Sequence, residues 1–256
     1  MTQTPIVEFK DVRKRYGEGP LILDGISFAA QRGDFITLIG PSGCGKSTIL
    51  RLISGLSPIS GGEIAIDRAA TIGVGEERAF VFQEPTLLPW LNVMRNVELP
   101  MRLRGANRAQ RIEVARRSLA LVGLADRAGY YPRQLSGGQK MRVSIARALS
   151  VFPHILLLDE PFGALDEITR DHLNEELLAI RQQQAWTAFF VTHSVAEAVF
   201  LSSRVFVLSA NPGRLHREVR IGLPYPRTED TRQSDEYQHL VAELSRLLRS
   251  TERLRA

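Results

Sequence analysis

The chain has 256 residues, a length that suits one large α/β domain or two small ones, and its 44% hydrophobic and 24% charged residues exclude a disordered or fibrous protein. The one cysteine, Cys44, excludes a disulfide framework and zinc spacings and suits a reducing cytoplasm, while no run nears the roughly 18 apolar residues of a membrane span. A net charge of +5 admits nucleic acid, acidic lipid or phosphate ligands, but the arginines are spread along the chain, which favours an ordinary solvated surface.

Met1-Thr2-Gln3-Thr4-Pro5 has neither the basic start nor the apolar stretch of a signal peptide. Ile6–Phe9 and Leu21–Phe28 read as strands joined by a turn at Gly17–Pro20. Asp34–Ile39 is an apolar strand, and Lys46–Ser54 a helix stopped by Gly55 and Pro58. Glu63–Ile66 and Ala79–Phe82 are predicted strands. From Asn92 to Leu121 the pattern is helical, broken at Gly105 and Asn107, and Gln139–Leu149 is a further helix. Strands return at Ile155–Leu158, Ala188–Thr192 and Val205–Leu208, with helices near Glu167–Gln183 and Val195–Ser202 between them. Such alternation predicts a mainly parallel sheet covered on both faces. The helical stretch between about residues 86 and 150 reads as an insertion into that core. After Pro226 the chain is polar and then helical, with Leu240, Leu244, Leu247 and Leu248 on one face.

Gly40-Pro41-Ser42-Gly43-Cys44-Gly45-Lys46-Ser47-Thr48 fits the phosphate-loop pattern and lies between a strand and a helix, as that motif requires. Its glycines let several N–H groups face one phosphate, and the helix N-terminus adds partial positive charge. Lys46 supplies a full charge for the β- and γ-phosphates and Ser47 a hydroxyl for Mg²⁺; Cys44 fills a free position of the motif. The apolar strand ending in Asp159-Glu160 places Asp159 to hold Mg²⁺ and Glu160 to act as general base toward the attacking water. Leu135-Ser136-Gly137-Gly138-Gln139 opens a helix and forms a second anion-binding turn. One γ-phosphate does not need two such turns from one chain, which points to a dimer in which the turn of one copy faces the phosphate loop of the other.

With these motifs in this order, nearly the whole chain resembles the ATP-binding cassette (ABC) ATPases. The resemblance implies a P-loop NTPase core of RecA-like type with a mainly parallel sheet, an antiparallel β subdomain and an inserted helical subdomain. It implies one cassette domain over residues 1–256, with the core at 1–85 and 151–213, the helical signature subdomain at 86–150 and a C-terminal extension at 214–256. By resemblance, Tyr16 stacks on adenine, although a half-buried strand residue is the other reading. Gln83 stands in the glutamine loop, sensing Mg²⁺ and water and abutting the transmembrane partner. Asp166, in Ala164-Leu165-Asp166, lies in the loop that crosses the dimer interface, and His193 is the switch histidine for the γ-phosphate. The other histidines, 154, 172, 216 and 239, match nothing. Met141 departs from the family, which commonly has glutamine two residues after the signature; local packing is expected to differ there.

The implied cofactors are ATP and Mg²⁺. The implied partners are a second copy of the chain, transmembrane permease subunits and, indirectly, a solute-binding protein, at the cytoplasmic face of the membrane and without nucleic acid. Phe82–Leu91 and Leu208–Arg214 resemble the nitrate, sulfonate, taurine and bicarbonate importers. Exposed Leu and Trp in the first segment would form a docking surface; the alternative is that Trp90 packs inside the helical subdomain. The tail after Pro226 is too short for a large regulatory domain, and no regulatory ligand site is expected. A soluble ABC-type ATPase acting on nucleic acid is the alternative function; an isolated P-loop kinase leaves Leu135–Gln139 and His193 unexplained.

Overall fold

Runs of branched and aromatic residues set most of the strands, and apolar stripes at helical spacing set the helices. The structure, a computed structural model, describes residues 4–67, 69, 70, 75, 77–184 and 186–253. Met1, Thr2 and Gln3, from the segment read against a signal peptide, lie outside them. In chain order the elements are β1 (Val7–Arg15), β2 (Leu21–Ala30), β3 (Phe35–Ile39), α1 (Lys46–Ser54), β4 (Gly61–Ile66), β5 (Ala69–Ala70) and β6 (Arg78–Val81). Then follow α2 (Val93–Leu103), α3 (Arg108–Leu121), two 3₁₀ turns (Ala125–Arg127 and Pro132–Gln134), α4 (Gly137–Leu149), β7 (Ile155–Asp159) and α5 (Glu167–Gln183). The last are β8 (Thr187–Val191), α6 (Val195–Leu201), β9 (Arg204–Ser209), β10 (Arg214–Arg220), α7 (Glu229–Gln233) and α8 (Asp235–Arg253).

The chain divides into two units, one of Met1–Gly75 with Trp186–Ala256, the other of Glu76–Ala185. In the first, an antiparallel sheet runs β2-β1-β4-β5. In the same unit, β3 pairs in parallel with both β8 and β9, and β10 closes the edge antiparallel to β9. All five residues of β3 and of β8 are buried, as expected for parallel strands covered on both faces. Phe28 joins the two sheets: its ring stacks on Phe9 at 4.4 Å and tilts against Phe206 at 5.1 Å and Phe189 at 6.0 Å. The expected antiparallel β portion and mainly parallel sheet are therefore both present.

The second unit holds the parallel pair β6–β7 and helices α2 to α5. Helix α3 starts at Asn107, whose side chain accepts the Gln110 N–H at 3.0 Å while Gln110 returns a bond to the Asn107 N–H. This capping box, with Gly105 at φ 78° before it, is the physical form of the break expected at those two residues. Met141 lies on α4 itself and is buried.

Two stretches differ from the sequence expectation. Strand β1 continues past Phe9 to Arg15, through Lys10-Asp11-Val12-Arg13-Lys14, with Asp11 at φ 47° and register shifts against β2. The bulge leaves Lys10, Asp11 and Arg13 exposed and Val12 and Lys14 buried, so the run loses its strict alternation. Strand β10, Arg214-Leu215-His216-Arg217-Glu218-Val219-Arg220, was not expected because only two of its residues are apolar. As an edge strand it needs few, and its charges also discourage further pairing.

Candidate nucleotide-binding and catalytic residues

The ends of parallel strands set the site of the first unit. Leu38 lies opposite Val191, so the chain leaves β3 into Gly40 and leaves β8 into Thr192 and His193 at the same edge of the sheet. Gly45 starts α1 at φ 93°, and a Cβ there would lie 2.4 Å from Leu23 Cδ2. Only glycine meets both conditions. The Lys46 ammonium is buried and donates to Gly40 O at 2.9 Å and Pro41 O at 3.1 Å, which places a full charge at the centre of the loop. Cys44 is fully buried, and that burial pushes its thiol above the usual value against the opposing charge of Lys46, which suits a packing role. Tyr16 is 49% exposed, at the bend after β1, with Lys14 Nζ 4.5 Å from its ring centre. Burial pushes its hydroxyl up, but hydrogen bonds with Thr48, Ser57 and Arg51 and the charge of Lys14 outweigh it, so the group sits below its ordinary value. The ring thus stands beside the helix of the phosphate loop with much of its surface open.

The second unit repeats the arrangement. Val81 lies opposite Leu158 in the β6–β7 pair, so Gln83 and the Asp159-Glu160 pair leave neighbouring strands at one end. Gln83 is exposed, Asp159 buried and Glu160 half-buried. Glu160 has φ 47°, a conformation rare for a residue with a side chain and costing about 1–3 kcal/mol where it occurs. Ser136 caps α4: its Oγ accepts the Gln139 N–H at 3.2 Å, and Gln139 Oε1 accepts the Ser136 N–H at 3.0 Å. A Cβ on Gly137 or Gly138 would come no nearer than 3.5 Å to any neighbour, so packing within the chain does not demand glycine at either position. Asp166 caps α5 by accepting the Thr169 N–H at 2.9 Å, and hydrogen bonds from Thr169 hold its carboxyl below the usual range.

The sequence model of the ABC transporter family matches residues 23–163. The chain belongs to the ABC transporter family. It is an ABC-type ATPase. A putative ATP-binding protein of Brucella abortus is 47% identical over 233 residues, covering 91% of this chain and 89% of that one. The taurine import ATP-binding protein of Rhizobium johnstonii is 44% identical, with 94% of each chain covered. The aliphatic sulfonates import ATP-binding protein of Bacillus cereus is 43% identical, with 86% of each covered. Among solved structures, a dimeric ATP-binding cassette in a post-hydrolysis state bound to ADP and Pi superposes with a TM-score of 0.75 at 34% identity, covering 85% of this chain and all of that one. The fold is that of the ABC ATPases.

Three residues of this ABC cassette carry geometry that sequence reading did not assign. Arg147, on α4, donates to Pro85 O at 3.0 Å, Thr86 O at 2.9 Å and Thr86 Oγ1 at 2.9 Å, pinning the loop after Gln83 to the helix that Ser136 opens. Burial pushes its guanidinium below the usual value. Asn96 is fully buried; it accepts the Leu88 N–H at 2.8 Å and donates to Leu88, Leu91 and Asn92 carbonyls. It fixes the loop that carries Trp90, which is 70% exposed rather than packed inside. Glu197 is buried and bonded to Thr192 Oγ1, and its N–H donates to Ser194 Oγ at 3.2 Å. The Ser194-x-x-Glu197 spacing is a capping-box pattern and was a readable signal for it. Arg147→Ala is expected to lower the melting temperature by several degrees, since each hydrogen bond from a charged group contributes about 1.5–3 kcal/mol. Amide exchange at 83–91 should quicken; unchanged exchange there would refute the pinning.

Proposed function

We propose that this chain is the ATP-hydrolysing subunit of an importer, coupling ATP binding and hydrolysis to uptake of a small solute of the nitrate, sulfonate or taurine kind through separate transmembrane subunits. The observation that carries the reading is that one chain presents two anion-ready turns, the phosphate loop at Gly40–Thr48 and the capped Ser136-Gly137-Gly138-Gln139 turn. Similarity to the sulfonate and taurine import subunits over most of both chains supports the choice of solute class. Among the described residues, no helix is long and apolar enough to cross a membrane, and the reading therefore has the chain docked on permease subunits at the cytoplasmic face. Trp90, outside on a fixed loop, suits that contact. The domain layout we adopt is one cassette with a core at 1–85 and 151–213, a signature subdomain at 86–150 and an extension from 214.

In this reading two copies close head to tail over two ATP molecules, each turn Ser136–Gln139 meeting the nucleotide of the other copy. The solved cassette dimer with ADP and Pi supports such a pairing. Gly40 to Thr48 wrap the phosphates with backbone N–H groups and Lys46; Tyr16 carries the adenine; Ser136, Gly138 and His193 meet γ-phosphate charge; Asp166 lies at the seam between copies. The Ser47 hydroxyl, Gln83 amide and Asp159 carboxylate offer only oxygen donors, a set that fits Mg²⁺. Bound by these residues, Mg²⁺ would supply charge neutralisation for the phosphates. Glu160 takes the proton of the attacking water, and the other groups position and screen.

The test is to purify the tagged Glu160→Gln chain from gently solubilised membranes of its host. A copurifying polytopic membrane protein, with a solute-binding protein as its partner, supports the importer. Recovery only from the soluble fraction, alone or with nucleic acid, would move the function to the soluble cassette class.

A further inference from the structure

His193 stands between two residues that are both tied to buried Glu197, Thr192 through its carboxylate and Ser194 through its main-chain N–H. Thr192 Oγ1 is bonded to Glu197 and also accepts the Ser194 N–H at 3.0 Å; Ser194 Oγ accepts the Glu197 N–H at 3.2 Å. The direction in which His193 leaves β8 therefore follows the placement of α6, the helix that carries Glu197. That helix has only seven residues, two turns, and cannot hold a fixed orientation from its own hydrogen bonds.

The segment after β10 grips it at both ends. Tyr237 Oη donates to Ala196 O at 3.1 Å in the first turn. At the other end Arg227 Nη1 donates to Val199 O at 3.0 Å, Phe200 O at 2.9 Å and Ser202 O at 2.9 Å, and Tyr225 Oη donates to Leu201 O at 3.0 Å. These carbonyls are the ones a helix end leaves without intrahelical partners. Arg227 Nη2 donates to Leu223 O at 2.9 Å, so the guanidinium is anchored on its own segment as well. Arg227 and Tyr237 are 3% and 4% exposed, and the Arg232 guanidinium lies 3.6 Å from the centre of the Phe200 ring. Five hydrogen bonds thus converge on the main chain of one short helix.

We propose that Arg227 and Tyr237 are positioning residues for hydrolysis: the C-terminal segment clamps α6 and, through Glu197, Thr192 and Ser194, fixes His193. The proposal rests on the ATPase reading and on the role given there to His193. It assigns the extension a task inside the catalytic cycle of its own chain, with no ligand of its own.

The test uses the full chain and the substitution Tyr237→Phe, which removes one hydroxyl and keeps the ring, beside Arg227→Lys, His193→Ala and the Tyr237→Phe/His193→Ala pair. Steady-state hydrolysis, binding of a fluorescent ATP analogue, thermal melting and amide exchange are measured for each. Tyr237→Phe is expected to lower kcat roughly 3–10-fold, the usual worth of one hydrogen bond, with KM for ATP and analogue affinity within about two-fold of the parent. Exchange at 192–197 should quicken. In the His193→Ala background the same substitution should leave kcat within about 1.5-fold while lowering the melting temperature as much as before. Arg227→Lys, which keeps the charge but loses the fork, should quicken exchange at 199–202 more than Tyr237→Phe does. Equal loss of kcat in both backgrounds would mean the clamp acts on stability alone and would overturn the proposal, as would Tyr237→Phe with unchanged kcat and exchange. Parental turnover of His193→Ala would instead remove the role of His193, a result separate from any failure of the clamp.

Discussion

Glu160→Gln is expected to bind ATP as the parent does and to hydrolyse it roughly 10²–10⁴-fold more slowly, the usual worth of a general base. The side chain leaves the end of β7 from a left-handed backbone at φ 47°, and the Gly163 N–H donates to Glu160 O at 3.2 Å to close the turn that holds it. Strain of that kind survives only where the surroundings fix the conformation, and it aims one side chain. Glutamine keeps the shape and the turn but cannot take up a proton. Equilibrium ATP binding should therefore stay within a few-fold, while single-turnover hydrolysis collapses. A variant that hydrolyses at near parental rate would remove Glu160 from the role of base.

A loss of ATP affinity on the order of 10²-fold is expected of Gly45→Ala. The methyl group would lie 2.4 Å from Leu23 Cδ2, and Leu23 is fully buried in β2, so the loop or the leucine must shift. The backbone at φ 93° adds a steric cost of about 1–2 kcal/mol, and forced overpacking costs typically about 1–3 kcal/mol more. Each 1.4 kcal/mol is roughly a factor of ten in an equilibrium constant, so the two costs together reach that size when the loop shifts to relieve them. Leu23→Ala added to Gly45→Ala should restore part of the affinity, because it relieves the collision and leaves the backbone cost. No recovery in the double variant would show that the contact with Leu23 is not what sets the loop. Calorimetric or fluorescence titration with ATP and with ADP reads both effects.

Much of the fold could be read from the sequence where local signals agree with tertiary context. Lys46–Ser54 and Glu167–Gln183 begin and end where glycine, aspartate and the apolar stripe said they would. β10 could not be read, because an edge strand of alternating charges carries no apolar pattern; the second half of β1 was hidden by the bulge at Asp11. In the site, the loop at Gly40–Thr48, the acids at the end of β7 and the turn at Ser136 each announce themselves by residue type and spacing. Arg147, Asn96 and Arg227 do not. The two arginines meet main-chain carbonyls far along the chain, those of Arg147 61 and 62 residues away and those of Arg227 up to 28, while Asn96 bonds the main chain of the irregular loop just before it. Nothing in a local pattern reports which distant carbonyl an arginine will meet. Glu197 was readable as a helix cap, but its tie to Thr192 depends on the turn between β8 and α6.

The loop bearing Trp90 has a further consequence. Asn96 spends its amide on the main chain of residues 88, 91 and 92, so the conformation of that loop is settled when the protein folds. A large aromatic ring held out in water on a hydrogen-bonded loop is a ready-made anchor. Whatever surface receives it is spared the entropy of ordering the loop, and only the ring's own rotamer freedom, about 0.5–1.5 kcal/mol, is lost on contact. Encounters there should resemble a peg entering a socket more than a strand folding onto a template.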